Sequence, residues 1–276
     1  MPERGDPGGD HKIDVLTVAA ISVVAFALAK IMHEGIGHGG ACVLLGGTPE
    51  SVSSMTFACD LGGVAGWPRR FLAAGGSLSN LGCAAAFFGL LRRSQRASAQ
   101  TRYFLWLCGT VNLLQGTGYF LFSGMANVGD WAVFIEGLGP QASWRIVLTV
   151  VGAGTYLCSV YWALVQLRPF IGAEGRPRRR RATTLMLVPF GVGAALYIGA
   201  GMLHPDGALL LLISAAASSL GGTSGLAWGP QLLRGRRIAG YDGELVRLPR
   251  SRVWLTAGVL VTVAFVAVLG PGIQFR

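Results

Sequence analysis

The stretch "VLTVAAISVVAFALAKIMHEGIGHGGACVLL" (residues 15–45) decides the fold, because an apolar run that could cross a membrane carries two histidines and a glutamate in its second half. About 18 consecutive apolar residues mark a candidate transmembrane helix. Ionisable side chains inside a span cost roughly a few kcal/mol each, so they indicate a functional site. We therefore interpret the segment His33-Glu34-Gly35-Ile36-Gly37-His38 as a site within a membrane span.

The rest of the chain has the same apolar character. Of its 276 residues, 52% are hydrophobic and only 13% are charged, whereas about 25% of a soluble domain is charged. Six further long runs carry no charged residue, at 71–91, 103–129, 146–167, 182–205, 207–233 and 253–275. These runs predict an all-α, polytopic transmembrane helix bundle of about seven spans in a cell membrane.

We divide the chain into three parts: a polar cytoplasmic tail (1–12), a core with spans 1 to 3 (13–142) and an accessory transmembrane bundle with spans 4 to 7 (143–276). After span 1, the loop "ESVSSMTFACD" (50–60) contains alternating β-branched and aromatic residues. This alternation predicts a short strand-like segment near the membrane interface.

The net charge of +10 is explained by arginines in three loops, at 92–102, 168–181 and 234–252. Positively charged short loops face the cytoplasm. If spans 2 to 7 alternate in direction, all three loops lie on that side. The amino terminus is then cytoplasmic, the carboxyl terminus is outside, and the His/Glu segment lies near the outer face. We expect membrane lipid, and no nucleic acid, as the partner of these arginines.

The five cysteines show no C-x-x-C spacing. Cys42, Cys83, Cys108 and Cys158 fall in predicted spans, where cysteine usually acts as a small apolar side chain. Only Cys59 lies clearly in a loop, so no disulfide is expected.

His33 and His38 are candidate metal ligands, and Asp130 is a third candidate. Spans 1 and 3 run in the same direction, so Asp130, just after span 3, emerges on the same membrane face as the histidines. Two imidazoles and one carboxylate form a plausible metal shell, with Glu34 free beside it. A step of five residues along a regular helix, however, leaves the two imidazoles about 140° apart. A π-bulge would bring them together, and Gly35 and Gly37 would ease that distortion.

Alternatives without a metal ion stay open. In a regular helix Glu34 and His38 are four residues apart and would form a buried pair. Asp130 would then be an interfacial helix cap. Asn112 would join two helices by hydrogen bonds instead of supporting catalysis. Lys30 would either snorkel or pair with Glu34.

Three stretches resemble the site-2-type intramembrane metalloproteases. "HEGIGHGGACVLLGG" (33–47) is similar to the His-Glu-x-x-His segment of that family, with one residue more. "AAGGSLSNLG" (73–82) is similar to its Gly-Pro-leucine-x-Asn stretch, and "VNLLQGTGYFLFSGMANVGDW" (111–131) to the segment that leads to its third zinc ligand. The resemblance implies zinc held by His33, His38 and Asp130, with Glu34 as general base. It also implies that Asn80 and Asn112 support the substrate or the transition state.

We therefore expect a zinc-dependent intramembrane protease that hydrolyses a peptide bond in or beside a transmembrane segment of a protein substrate. Three other functions remain open. The same metal site could hydrolyse a lipid amide or ester. A proton-coupled transporter could use the His/Glu cluster as a relay. A non-catalytic membrane protein would keep the cluster as a structural pair.

Overall fold

Helices form most of the structure, a computed structural model that describes residues 13–173, 175–205, 221–235 and 238–275. The α-helices are α1 (Val15–Ile31), α2 (Gly40–Leu44), α3 (Trp67–Arg93), α4 (Ala99–Ala126), α5 (Asp130–Ile135), α6 (Gln141–Ile171), α7 (Arg176–Gly201), α8 (Gly225–Trp228) and α9 (Arg252–Ala264). The wider π-helical turn occurs in π1 (Met32–Gly39) and π2 (Phe265–Leu269), and Gly229–Gly235 is a 3-10 helix. The strands are β1 (Thr48–Val52), β2 (Phe57–Asp60) and β3 (Ile273–Gln274).

Five helical stretches within the described residues are long and apolar enough to cross a membrane. They are Val15–Leu44, which joins α1, π1 and α2 into one rod, then α3, α6, α7 and Arg252–Leu269. The helical membrane-protein class agrees with the sequence, but the predicted count of seven spans is not reproduced. The predicted span 103–129 is α4, which does not qualify, and 207–233 lies in large part outside the described residues.

Helix α4 is less apolar than these five stretches because of its polar residues, and its position explains why it carries them. It packs against α1, α3 and α6, so most of its surface faces protein. Asn112 and Gln115 are both buried within it. A helix enclosed by others can hold polar side chains, since these find partners that lipid would not supply.

One hydrophobic core joins the amino-terminal and carboxyl-terminal parts of the chain. Its fully buried side chains include Phe26 of α1, Trp106 of α4, Leu164 of α6 and Tyr197 of α7. The predicted boundary at residue 142 falls in the first turn of α6, and both sides of it contribute to this core. The division into core and accessory parts stays a prediction.

A three-stranded antiparallel sheet covers one end of the bundle, in the order β2-β1-β3. Val52 of β1 pairs with Phe57 of β2 on one side and with Ile273 of β3 on the other. The strand-like loop predicted after span 1 is thus confirmed as a hairpin. The sequence did not predict β3, because two residues are too short to show an alternating pattern.

The three arginine-bearing segments meet at the opposite end. The Asp14 amide donates to Leu248 O, and the Gln100 side chain donates to Pro249 O. The Arg168 guanidinium donates to Gly240 O. The 17 residues of α1, at 1.5 Å per residue, separate these contacts from π1 by about 26 Å.

A disulfide joins Cys42 of α2 to Cys59 of β2, with their Cα atoms 6.1 Å apart. The expectation that no disulfide forms is therefore wrong. The hairpin folds back onto α2 and brings Cys59 beside Cys42, which the separation of 17 residues along the chain does not reveal. Cys83, Cys108 and Cys158 are free thiols.

This pairing predicts the number of reactive thiols. Denatured without a reductant, the protein should react with maleimide at Cys83, Cys108 and Cys158 only. After reduction all five cysteines should react. The mass of the labelled protein measures both numbers. A Cys42→Ser/Cys59→Ser control should give the same count in both conditions, and full labelling of the unreduced wild type would contradict the disulfide.

Candidate metal centre

The π-helical turn π1 brings His33 and His38 together, as the distortion predicted from their spacing requires. A π-helix bonds residue i to residue i+5, so side chains five positions apart lie one above the other. His33 Nε2 and His38 Nε2 are 3.3 Å apart. The π-bulge hypothesis is therefore confirmed, and the alternative of a regular helix with a Glu34–His38 pair is not what the structure shows.

Gly35 and Gly37 were predicted to ease the distortion of this turn, but the structure gives them other roles. Neither Gly35 nor Gly37 has a positive φ, so the turn does not depend on their conformational freedom. A Cβ on Gly37 would lie 2.6 Å from Gly76 Cα, whereas one on Gly35 would meet nothing within 4 Å. Gly37 is needed because α3 packs directly against π1, where Ser79 Oγ also donates to Met32 O at 2.8 Å.

Asp130 reaches the histidines because the chain reverses sharply after α4. Asn127 adopts the left-handed conformation with φ 55°, Gly129 has φ 84°, and Asp130 is the first residue of α5. Its Oδ2 lies 3.2 Å from His33 Nε2 and 3.6 Å from His38 Nε2. The sequence-predicted ligands His33, His38 and Asp130 thus form one cluster that could hold a metal ion.

The spacing of the three donor atoms fits a small divalent ion. Zinc ligands at 2.0–2.1 Å lie about 3.3–3.4 Å from one another at the corners of a tetrahedron. The distances here are 3.2, 3.3 and 3.6 Å. Asp130 Oδ2 is buried and makes no hydrogen bond of good geometry within the described residues. Three protein ligands leave the fourth corner open, as in catalytic zinc sites.

The remaining ring nitrogens have partners that fix the imidazoles. His38 Nδ1 lies 2.8 Å from Leu72 O, so Nδ1–H donates to that carbonyl and leaves the lone pair of Nε2 free. His33 Nδ1 lies 3.2 Å from the Asn80 side-chain amide. An amide can be turned by half a rotation, and the orientation with Oδ1 at this position accepts a hydrogen bond from Nδ1–H. Partners of this kind orient metal-bound histidines.

Behind Asn80, a chain of polar contacts links four helices to His33. Asn80 of α3 contacts Gln115 of α4, which donates to Tyr197 Oη of α7 at 3.2 Å. Tyr197 Oη donates to Phe26 O of α1 at 2.8 Å. These contacts connect Asn80, and through it His33, to polar groups of α4, α7 and α1.

Gly76 of α3 makes room for both imidazoles. An added Cβ would lie 2.5 Å from His33 Nε2 and 2.6 Å from His38 Nε2. Sequence reasoning noted the small residues of this stretch but missed Gly76 as part of the site. On another side, Tyr119 stacks on the His33 ring with the ring centroids 4.9 Å apart.

The charges of the cluster allow a metal ion at its centre. Burial raises the pKa of Asp130, but the electrostatic attraction of the nearby His38 and His33 rings outweighs burial and holds that pKa below its usual range. Asp130 is then ionised, and its oxygen faces two imidazole nitrogens. A proton on one imidazole or a metal ion can supply the positive charge, but only a metal ion uses all three lone pairs at once.

Glu34 is buried and lies 2.8 Å from Lys30, with which it forms an ion pair four residues apart on the rod. Of the two alternatives for Lys30, the structure therefore shows the ion pair with Glu34 and not snorkelling. Within a membrane span a charged carboxylate needs such a partner. Glu34 therefore lies in the interior beside a cationic partner.

A cavity of about 330 Å³ opens beside the cluster. Glu34, His33, His38 and Asp130 all line it, together with Thr56 and Phe57 of the hairpin, Arg69 and Tyr119. The proposed base and the proposed ligands therefore face one space. Asn80 contacts this site only through His33. Asn112 is not among the lining residues, since it donates to Cys108 O one turn earlier on α4.

No protein-family model, curated protein or solved structure matches this chain. The resemblance to site-2-type proteases therefore stays an expectation that depends on the motifs themselves.

Because Gly76 packs against both imidazoles, adding a methyl group at this position should disturb the candidate metal site. Gly76→Ala should push the rings apart and weaken zinc binding by at least about tenfold, the lower end of the loss seen when metal-supporting residues are changed. Gly82→Ala on the same helix is the matched control, because its Cβ would meet nothing within 4 Å. Titration with a competing chelator measures both affinities. Equal affinities in the two variants would contradict this geometry.

Proposed function

We propose that this protein is an intramembrane zinc-dependent hydrolase that cleaves a peptide bond in or beside a transmembrane segment. The observation that carries the proposal is the convergence of His33, His38 and Asp130, with Glu34 lining the same cavity. Two imidazoles and one carboxylate are the ligand type of known catalytic zinc peptidases. A bound zinc ion would polarise the scissile carbonyl and make water a nucleophile near neutral pH.

Glu34 acts as the general base in this proposal. It accepts a proton from the attacking water and passes it to the leaving amine nitrogen. Lys30, 2.8 Å away, balances the charge of Glu34 while the site is empty of substrate. His33 and His38 are held by Asn80 and Leu72 O, so the ligands need little rearrangement during the reaction.

The substrate enters as an extended segment, because the hydrogen bonds of an intact helix shield its backbone. The cavity is bordered by Thr56 and Phe57, and β2 lies at an edge of the described sheet. An edge strand offers unpaired backbone groups to an added strand. We therefore place the unwound part of the substrate beside β2.

We place the cavity at the outer face of the membrane. The arginine-bearing segments at the other end of the bundle would face the cytoplasm. The disulfide between Cys42 and Cys59 lies at the cavity end, and disulfides persist in oxidising compartments. Both features favour an amino terminus in the cytoplasm and a carboxyl terminus outside.

A second candidate function is a proton relay for transport. The ion pair of Lys30 and Glu34 favours it, because paired ionisable residues inside a membrane often mark proton pathways. A relay predicts pH-dependent flux into liposomes and no need for a stoichiometric metal ion.

Glu34→Gln separates the hydrolase from the relay. The variant keeps the shape of the side chain but cannot accept a proton, so it should bind zinc like the wild type and lose peptide cleavage by at least about a hundredfold. The assay uses proteoliposomes that contain the protein and a library of single-span peptides with Gly/Pro-rich unwound segments. New peptide termini are counted by mass spectrometry.

The control is Glu50→Gln, which makes the same change at an exposed carboxylate of β1 outside the cavity lining. Cleavage retained in Glu34→Gln would rule out Glu34 as the base. Zinc lost from Glu34→Gln would mean that Glu34 is itself a ligand.

A further inference from the structure

The arginine run at the start of α7 divides into two groups with different surroundings. Arg178 is buried and donates to Ile238 O and Ala239 O at 3.0 Å each. Arg181 donates to Phe170 O and Val246 O. These hydrogen bonds hold α7 against neighbouring segments, so both guanidinium groups already have partners within the protein.

The other arginines face a cavity of about 230 Å³. Arg176, Arg179 and Arg180 lie on one face of α7, because residues three and four apart on a helix are neighbours. Arg234 approaches from the 3-10 helix. The polar groups that line the cavity are Arg176, Arg179, Arg180, Thr183, Gln231 and Arg234.

The guanidinium groups around this cavity are exposed, so solvent weakens their mutual repulsion, and an anion between them would remove what remains. No described carboxylate lines this cavity or forms an ion pair with any of the four. Within the described residues the positive charge is therefore not balanced by the protein. The start of α7 adds to it, since Gly175 gives no side-chain cap and the first N–H groups of a helix carry partial positive charge.

The arrangement matches the geometry that a phosphate group needs. Guanidinium groups bind phosphate oxygens in pairs, and hydroxyl and amide groups such as those of Thr183 and Gln231 complete the set of donors. The cavity is smaller than the about 300–1,000 Å³ of sites for drug-sized ligands. It suits one small anionic group.

We propose that the cavity between the start of α7 and the 3-10 helix is a binding site for a phosphate group. The group comes from an anionic phospholipid headgroup or from a free phosphate compound. The site is separate from the candidate metal centre, because Tyr197, which supports His33, lies 21 residues further along α7, about 32 Å at 1.5 Å per residue. It does not depend on the proposed hydrolase activity.

The test uses two double variants that remove the same charge. Arg179→Gln/Arg180→Gln removes half of the guanidinium groups of the cavity, and Arg93→Gln/Arg96→Gln removes two exposed arginines at the end of α3 and in the segment after it. Full-length protein in a neutral detergent is titrated by calorimetry with inorganic phosphate, with dihexanoyl phosphatidic acid and with dihexanoyl phosphatidylcholine.

The wild type should bind phosphatidic acid more tightly than phosphatidylcholine, whose choline offsets the charge. This affinity should fall by at least about tenfold in Arg179→Gln/Arg180→Gln, since charge-assisted hydrogen bonds to phosphate are lost. It should stay within about twofold in Arg93→Gln/Arg96→Gln, because those arginines do not line the cavity. Arg234→Gln, on the other element, should also weaken binding.

The probes identify the source of the phosphate. Equal binding of inorganic phosphate and phosphatidic acid assigns the site to a free phosphate compound, and binding of the lipid alone assigns it to a membrane headgroup. The proposal is overturned if neither probe binds, if both double variants lose affinity equally, or if phosphatidylcholine binds as well as phosphatidic acid.

Discussion

Two imidazoles and one carboxylate meet in the interior of the bundle. The surrounding structure depends on this constraint. His33 and His38 can share one ion only if the rod departs from a regular helix, and π1 provides that departure. Helix α3 packs directly against this turn and the two imidazoles, and Gly37 and Gly76 allow this close approach. Asp130 then needs the reversal after α4.

The two ends of the bundle carry different charged groups. At one end, Asp130, Glu34 and the histidines lie in a buried cavity beside a small sheet and a disulfide. At the other end lie the arginine-bearing segments. Helices α1 and α7 run between the two ends. Near the first end, the hydrogen bonds from Gln115 to Tyr197 and from Tyr197 to Phe26 O support the metal site. At the other end, the start of α7 forms the phosphate site.

The sequence predicted those features that follow from local pattern. The five-residue histidine spacing predicted the π turn, and the alternation in residues 50–60 predicted the hairpin. Features that depend on packing between distant segments were missed. The pairing of Cys42 with Cys59 needs the hairpin to fold back, and the role of Gly76 needs the position of α3.

The polar residues inside α4 also show that features which depend on packing cannot be predicted from local sequence. Asn112 and Gln115 are alike as polar side chains in an apolar run, and only Asn112 was assigned to the site from the sequence. In the structure Gln115 belongs to the chain that supports His33, and Asn112 bonds to its own helix. Which face of a helix meets the site is a tertiary property. The predicted count of seven spans is not confirmed, because α4, enclosed by other helices, is less apolar than a helix that faces lipid and much of 207–233 lies outside the described residues.

The central claim is that these three side chains hold one metal ion, and metal content tests it most directly. Wild type and His38→Ala would be purified in detergent, incubated with zinc, freed of excess metal and measured by elemental mass spectrometry, with His204→Ala as a histidine control outside the cavity lining. The account predicts about one zinc ion per chain in the wild type and the control, and none in His38→Ala. A well-folded wild type that holds no metal after this treatment would contradict it.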